Sequence, residues 1–87
     1  MTTLPTIHLN GTGAESLFNE YGNAWRALKA AREALAQTTC NARDFYPQGD
    51  EAWQDARFER AEALSNLDDV ISFVETWVEH ANNNNNH

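Results

Sequence analysis

The basic residues of this sequence are confined to its middle, and they define the chemistry that the chain could support. All six lie between positions 26 and 60: Arg26, Lys29, Arg32, Arg43, Arg57 and Arg60. That span also holds six acidic residues, whereas the rest of the chain carries seven acids and no base. Guanidinium groups bind phosphate and carboxylate through paired hydrogen bonds. The pattern therefore predicts an anion site in the middle of an otherwise acidic chain.

Aromatic and amide side chains accompany the arginines in the segment between positions 41 and 49. Phe45 and Tyr46 offer two ring faces and Gln48 offers an amide, next to Pro47 and Gly49. An aromatic ring that stacks on a nucleobase, with an arginine on the phosphate, is a recurring means of holding a nucleotide. The candidate ligand-binding residues are therefore Arg32, Arg43, Phe45, Tyr46, Gln48, Arg57 and Arg60.

The same residues also fit a purely structural interpretation. Arg60 stands at a helix position where Leu or Ala is expected, and Arg32 lies at the edge of an apolar stripe. Half-buried arginines need partners, and the acids considered for this role are Glu33, Asp44 and Glu59. Phe45 and Tyr46 could likewise close the end of a helical bundle. Both interpretations stay open at the level of sequence.

Length and composition exclude several classes of function. A chain of 87 residues, 41% of them apolar, forms one small domain and cannot hold a coenzyme domain or a channel. A net charge of −7 opposes non-specific binding to DNA or RNA. None of the 13 acidic residues lies in a catalytic motif, and no Cys or His has the spacing of metal ligands. We expect no enzyme activity, metal or cofactor.

Cysteine usage and the first residues indicate the compartment. Cys40 is the only cysteine, so no internal disulfide is possible, and a residue at a helix end is a better interpretation of it than a nucleophile. The segment from Met1 to Pro5 has neither the basic nor the apolar region of a signal peptide. No window approaches the apolar length that crosses a membrane. These features predict a cytoplasmic protein without a membrane partner.

Two helices are predicted to position the candidate residues. The segment from Thr12 to Glu15 matches the S/T-x-x-E capping box with which helices begin. Beyond it an apolar stripe at helical spacing consists of Leu17, Tyr21, Ala24, Leu28, Ala31 and Leu35. The pattern predicts a first helix over about 13–38. A loop over 39–49 follows, because Pro47 and Gly49 disfavour helix.

The second helix is predicted over 50–81, with Asp50 as its N-cap. A seam with alternating spacings of three and four residues consists of Trp53, Ala56, Arg60, Ala63, Leu67, Val70, Val74, Trp77 and Ala81. Three further apolar residues flank this seam, namely Leu64, Ile71 and Val78. The seam predicts that the second helix packs lengthwise against the first.

The predicted fold class is all-α, an antiparallel two-helix hairpin in a single domain over 1–81. The loop between the helices is short enough for them to fold back on each other. Thr6–Asn10 alternates polar and apolar residues, which favours a short extended segment before the first helix. The Asn-rich residues 82–87 are expected to form a disordered tail, since asparagine is a weak helix former.

The predicted hairpin carries more apolar surface than two helices bury against each other. Exposed apolar patches mark interfaces, and a two-helix unit of this size is marginally stable alone. We therefore expect a homo-oligomer, a four-helix-bundle dimer or a larger assembly, formed through Val70, Phe73, Val74 and Trp77. The alternative is that the N-terminal segment, with Ile7 and Leu9, folds over this surface.

Two strings of the sequence resemble a group of short, uncharacterised phage and prophage proteins. They are Thr6-Ile7-His8-Leu9-Asn10-Gly11-Thr12 and Asn41-Ala42-Arg43-Asp44-Phe45-Tyr46-Pro47-Gln48-Gly49, and the likeness extends to about Ala81. The second string is the more specific, although Phe45 stands where the group has Tyr. The resemblance implies a phage protein made in the host cytoplasm, and it supplies no mechanism.

Short acidic phage proteins without enzyme activity often act against host defences, which gives two leading hypotheses. The first is a binding protein that sequesters a small anionic, nucleotide-type ligand at the loop end. The second is an acidic inhibitor that mimics nucleic acid and blocks a host nucleoprotein complex such as a CRISPR effector. A structural or assembly helper for the phage is a third possibility.

Overall fold

The computed structural model describes residues 2–7 and 13–85 of the chain, and within them it is entirely helical apart from turns and the N-terminal segment. Helix α1 spans Ala14–Ala36 and helix α2 spans Asp50–Asn85. A short 3₁₀ helix spans Ala42–Gln48 between them. The prediction of an all-α hairpin is confirmed at this level. The 3₁₀ helix was not predicted.

The bounds of the long helices differ from the predicted ones at three ends. Helix α1 begins after Gly13, which has an extended backbone and provides no side-chain cap. The helix ends at Ala36, two residues before the predicted position 38. Helix α2 begins at Asp50, the predicted first position, although Asp50 is a residue of the helix rather than its N-cap; the third difference is at the C-terminus of α2. Thr12, on which the capping box depends, lies outside the described residues.

Helix α2 continues past Ala81 into the asparagines, so the prediction that the tail is disordered from residue 82 onward is wrong for residues 82–85. The amide of Asn84 donates a hydrogen bond of 2.8 Å to the carbonyl oxygen of His80, one turn earlier. Once a helix has formed, each further residue that joins it adds one backbone hydrogen bond. A long helix therefore continues even into residues that are weak helix formers, such as asparagine.

The segment predicted as a loop is ordered by its own polar groups. The side chain of Asn41 accepts a 3.0 Å hydrogen bond from the backbone N–H of Arg43 and so caps the 3₁₀ helix. At the other end the N–H of Gly49 donates to the carbonyl oxygens of Phe45 and Tyr46. Gly49 has a φ of +99°, a backbone conformation that glycine adopts without strain, and it turns the chain into α2.

The two long helices are antiparallel, as three cross-helix contacts show. Trp25 contacts Glu75, Arg32 contacts Asp68, and Arg60 reaches the backbone of Ala36. Along the rod, the residue numbers of α1 therefore increase in the direction in which those of α2 decrease. The molecule is a rod with extents of 62 × 23 × 17 Å. Among the described residues, the buried apolar side chains are Ile71, Val74 and Ala81.

The contact seam of α2 agrees with the predicted one except at two positions, where the flanking residue takes the place of the predicted one. Leu64 and Ile71 lie in it, whereas Ala63 and Val70 are exposed. On α1 the structure turns Ala24 and Ala31 outward and places Gly22, Trp25 and Arg32 at the contact. Val74, predicted to face a second copy, is only 6% exposed and lies in the core of the hairpin itself.

The N-terminal segment lies against the far end of α2. Nε2 of His80 donates a 2.7 Å hydrogen bond to the carbonyl oxygen of Pro5. Leu4, Pro5 and Ile7 are half-buried, and residues 2–7 form no strand. The contact is at His80, and Val70 and Phe73 of the surface that the segment was expected to cover are 45% and 47% exposed. Leu9 lies outside the described residues. Within the described residues, no helix has a stretch long and apolar enough to span a membrane.

Candidate functional site

The structure distributes the seven candidate residues over three elements. Four lie on the 3₁₀ helix, two on the first turns of α2 and one in α1. They are, in that order, Arg43, Phe45, Tyr46 and Gln48, then Arg57 and Arg60, then Arg32. The first six therefore share the end of the rod at which the helices are connected, which we call the loop end.

Arg32 does not belong to the loop end, contrary to its inclusion in the candidate site. Its guanidinium donates hydrogen bonds of 2.8 and 3.3 Å to the two carboxylate oxygens of Asp68. This bidentate contact raises the pKa of Arg32 and lowers that of the Asp68 carboxyl, in each case chiefly through the hydrogen bond. The partner is not one of the three acids considered from the sequence. Arg32 fixes the alignment of the two helices at mid-length.

Arg60 holds the end of α1 in place. Its Nη2 donates to the carbonyl oxygens of Leu35 at 3.2 Å, Ala36 at 3.0 Å and Thr38 at 2.8 Å. These carbonyls lie at the C-terminus of α1, where the backbone lacks partners and the helix dipole favours a cation. The structural interpretation of Arg60 is therefore supported, but with backbone carbonyls in place of a carboxylate.

An open cavity of about 230 Å³ lies beside Arg60 at the loop end. The described residues that line it are Cys40, Trp53, Arg57, Arg60, Ala61 and Leu64. Two of these six are arginines and none is acidic, in a chain whose net charge is −7. Cζ of Arg57 lies 5.6 Å from the ring centroid of Trp53, and its Nη1 donates a long 3.4 Å hydrogen bond to Gln54. The cavity thus offers positive charge beside an indole.

A second cavity, of about 180 Å³, adjoins the same tryptophan. It is lined by Ala42, Phe45, Tyr46, Gly49, Asp50 and Trp53. The rings of Phe45 and Trp53 lie 5.9 Å apart and tilted by 39°, so Phe45 packs against α2 as the alternative interpretation expects. Tyr46 is 70% exposed, and Arg43 and Gln48 are exposed as well. Of these three exposed side chains, Tyr46 lines the cavity, whereas Arg43 and Gln48 lie on the same short helix outside its lining.

Trp53 is the residue that sequence reasoning missed at this site. It was assigned to the packing seam, yet it lines both loop-end cavities and contacts Phe45 as well as Arg57. The available signal was the spacing of Trp53 and Arg57, four residues apart on the first turns of a helix, which places an aromatic ring and a guanidinium on one face.

A larger cavity of about 370 Å³ lies toward the other end of the rod. Trp25, Glu75, Val78 and Glu79 line it. The indole N–H of Trp25 donates a 2.8 Å hydrogen bond to Glu75, and Nζ of Lys29 lies 5.5 Å from the Trp25 ring centroid. Two carboxylates in the lining oppose an anionic ligand, so this cavity does not fit the chemistry that the sequence predicts.

Five carboxylates of the acidic half are exposed and make no side-chain hydrogen bond or ion pair with another described residue. Two of the seven acids outside the basic span make contacts within the chain, because Asp68 pairs with Arg32 and Glu75 accepts from Trp25. The other five are Glu15, Glu20, Glu62, Asp69 and Glu79, all exposed. Within the described residues, no group of His, Cys, Asp and Glu is arranged to hold a metal ion.

Comparison with known proteins found no matching family model, no matching curated protein and no matching solved structure.

Proposed function

We propose that this protein binds a small anionic ligand that contains a planar ring, a nucleotide in chemical terms, at its loop end. One observation carries the proposal: Arg57 and Arg60 line an open cavity beside Trp53 that contains no acidic residue, in a strongly acidic chain. Arginine is the residue best suited to phosphate recognition, and an indole is the best ring for stacking and for cation–π contact.

The two arginines differ in what they can offer the ligand. The described hydrogen bonds of Arg60 all use Nη2, so its Nε and Nη1 can donate to an anion while it still caps α1. Arg57 is exposed, and among the described residues its guanidinium makes only the long hydrogen bond to Gln54 and the contact with Trp53. We expect Arg57 to move onto a phosphate and Arg60 to remain in place.

The size of the cavity limits the ligand to a small one. The cavity of about 230 Å³ is below the 300–1,000 Å³ typical of sites for drug-sized ligands. The neighbouring cavity beside Phe45 and Tyr46 also has Trp53 in its lining. It extends the site for the ring of the ligand and not for its phosphate, because Asp50 lines it too. A base stacked at Trp53 with its phosphate between Arg57 and Arg60 fits this arrangement.

The resemblance to phage and prophage proteins suggests the setting in which such binding would act. A non-enzymatic phage protein that captures a nucleotide in the host cytoplasm would lower the concentration of a defence signal. Self-association would place several sites on one particle, and we include it in the proposal. A search for binding partners in infected bacteria tests whether the protein acts against a host defence, and this test is separate from the test of nucleotide binding.

Titration calorimetry with a panel of cyclic and linear nucleotides, and with inorganic pyrophosphate, tests the proposal. We expect binding by the unaltered protein and a loss of about tenfold or more with Arg57→Met, because a hydrogen bond to a charged group contributes about 1.5–3 kcal/mol. A similar loss is expected with Trp53→Leu, because stacking of a base on an aromatic ring contributes about 1–3 kcal/mol. Arg32→Met is the matched control, since Arg32 pairs with Asp68 away from the cavity. No binding across the panel, or equal affinity in Arg57→Met, contradicts the proposal.

The second candidate function is the acidic inhibitor, and the five exposed carboxylates of the acidic half favour it. A basic channel of a nucleoprotein complex would attract this surface, with an association rate that falls as salt rises. Replacing Asp69 and Glu79 by Asn and Gln would then weaken inhibition of the complex, whereas Arg57→Met would not. The reverse pattern supports the loop-end site.

A further inference from the structure

One side of the hairpin carries an apolar face that the chain itself leaves uncovered. On α2, Val70 and Phe73 are 45% and 47% exposed. On α1 four exposed alanines follow each other at spacings of three, four and three residues: Ala24, Ala27, Ala31 and Ala34. This is the heptad spacing with which one helix packs along another. No charged residue occupies these positions.

The two sets of residues lie on the same side of the rod. Phe73 contacts Trp77 at 6.4 Å between ring centroids, and Trp77 stacks on Tyr21 of α1 at 4.5 Å, so an aromatic row crosses between the helices there. With a rotation of about 100° per residue around α1, the four alanines lie on the same side of the contact face as Tyr21. On α2 the carboxylates that accept the polar cross-helix contacts, Asp68 and Glu75, are about 140° and about 160° away from Phe73 around the helix, on its other side. We call the apolar side the alanine–phenylalanine face.

The exposed area of the chain is large enough to include an interface with another protein surface. The accessible surface is 6491 Å². A compact monomer of 9.8 kDa exposes about 5,200 Å² by the usual scaling with mass. The excess of about 1,300 Å² exceeds the roughly 800 Å² that each partner buries in a stable interface. The radius of gyration, 18.8 Å against about 12 Å for a compact chain of this length, agrees.

We propose that the occupant of this face is a second copy of the chain, which forms a two-fold four-helix bundle. The contacts Trp25–Glu75 and Arg32–Asp68 place the alanines of α1 level with Val70 and Phe73 of α2. A two-fold axis parallel to the helices therefore sets the small residues of one copy opposite the large residues of the other. All neighbouring helices in this bundle are antiparallel.

The self-complementarity favours a second copy over an unrelated partner. Alanines let two helix backbones approach closely, and a large side chain on the facing helix fills the space between them. This face supplies both halves of that arrangement at the same level of one hairpin. It uses Val70 and Phe73, as expected from the sequence, together with the alanines of α1, and it leaves Val74 in the hairpin core.

Sedimentation velocity on the full chain, over a range of concentrations, tests the dimer. We expect a dimer for the unaltered protein, and a dissociation constant raised by about 30-fold or more in Phe73→Glu, the effect typical of a central interface residue. Ala27→Glu introduces the same charge from α1 and is expected to do likewise. Phe58→Glu is the matched control, because Phe58 is 66% exposed and lies off this face.

Circular dichroism keeps the test decisive if a variant is destabilised. Helical content equal to that of the unaltered protein, with loss of the dimer in Phe73→Glu and Ala27→Glu alone, supports the proposal. If Phe73→Glu unfolds, the exposed Ala27→Glu decides. A monomeric unaltered protein, an assembly larger than a dimer, or equal dissociation by Phe58→Glu overturns it. Calorimetry of nucleotide binding is independent of these outcomes, since Trp53 and Arg57 lie nearer the loop end.

Discussion

The contact between Arg60 and the end of α1 predicts the most informative change in stability. Replacing Arg60 by Met keeps the apolar stem and removes the group that donates to the carbonyl oxygens of Leu35, Ala36 and Thr38. One hydrogen bond from a charged donor contributes about 1.5–3 kcal/mol, and a cation at a helix C-terminus contributes about 0.3–1 kcal/mol. Water can reach part of this site, so we expect a net loss of about 2 kcal/mol.

Urea unfolding followed by circular dichroism measures this loss. A change of about 2 kcal/mol lowers the urea midpoint without changing the slope and corresponds to a fall in Tm of about 10 °C for a domain of this size. All variants are compared at one protein concentration, because self-association shifts apparent stability. Arg60→Lys restores only part of the loss, since an ammonium group lacks the planar fork.

Arg43→Met is the matched control for Arg60→Met. Arg43 is exposed, and its described hydrogen bond uses the backbone N–H rather than the guanidinium. We expect its free energy of unfolding to change by less than about 0.5 kcal/mol. If Arg60→Met also changes it by no more than this amount, Arg60 does not hold the end of α1 and the reasoning is refuted.

Three further predictions concern other contacts. The pKa of the Asp68 carboxyl lies below its ordinary value and returns toward that value in Arg32→Met, as a carboxyl NMR titration will show. The contribution of this contact to stability is complete above the unfolded pKa of about 3.9 and is lost as the pH falls through the lower pKa of the folded protein. Gly22→Ala stabilises by about 0.5–1 kcal/mol, whereas Gly49→Ala destabilises by about 1 kcal/mol or more, as thermal unfolding will show. Glu75→Leu costs about 1–2 kcal/mol in urea unfolding because an indole N–H loses its acceptor, whereas Glu75→Gln retains most of the stability.

Each of these predictions has a contrary outcome. If the Asp68 carboxyl titrates identically with and without Arg32, the bidentate contact between the two side chains does not form in solution. If Gly22→Ala and Gly49→Ala change the stability in the same direction, the explanation given for them is wrong. Gly22 lies in a helix interior, where an added Cβ meets its nearest atom at 3.8 Å, whereas Gly49 has a φ of +99° that alanine adopts only with strain. Equal stability of Glu75→Leu and Glu75→Gln would show that the Trp25 indole needs no acceptor there.

The sequence sufficed for the fold class and for the approximate helices, because apolar periodicity reports burial directly. It did not suffice to choose between neighbouring residues at two positions of the α2 seam. Ala63 and Leu64 are adjacent, as are Val70 and Ile71, so either member of each pair fits the apolar spacing. The structure buries the larger member of each pair against α1. Ala63 and Val70 stay exposed, and Val70 forms part of the alanine–phenylalanine face.

The candidate site was predicted in part, and its exceptions have a common physical cause. Residues near the predicted loop were grouped by proximity in sequence, which holds for Phe45 and Tyr46 on the 3₁₀ helix. Arg32 was misplaced because its partner, Asp68, is 36 positions away along the chain. The role of Arg60 was missed because its acceptors are backbone carbonyls, which every residue possesses and which therefore leave no trace in the sequence.

Nuclear magnetic resonance of the labelled protein tests the central claim, a nucleotide site at the loop end, most directly. The indole signal of Trp53 and the guanidinium signals of Arg57 and Arg60 are followed while each nucleotide of the panel is added. We predict saturable shifts at these three residues with at least one nucleotide, and none at Arg32 or at the Trp25 indole. Unchanged signals at Trp53 and Arg57, or shifts confined to the acidic half, would contradict the account.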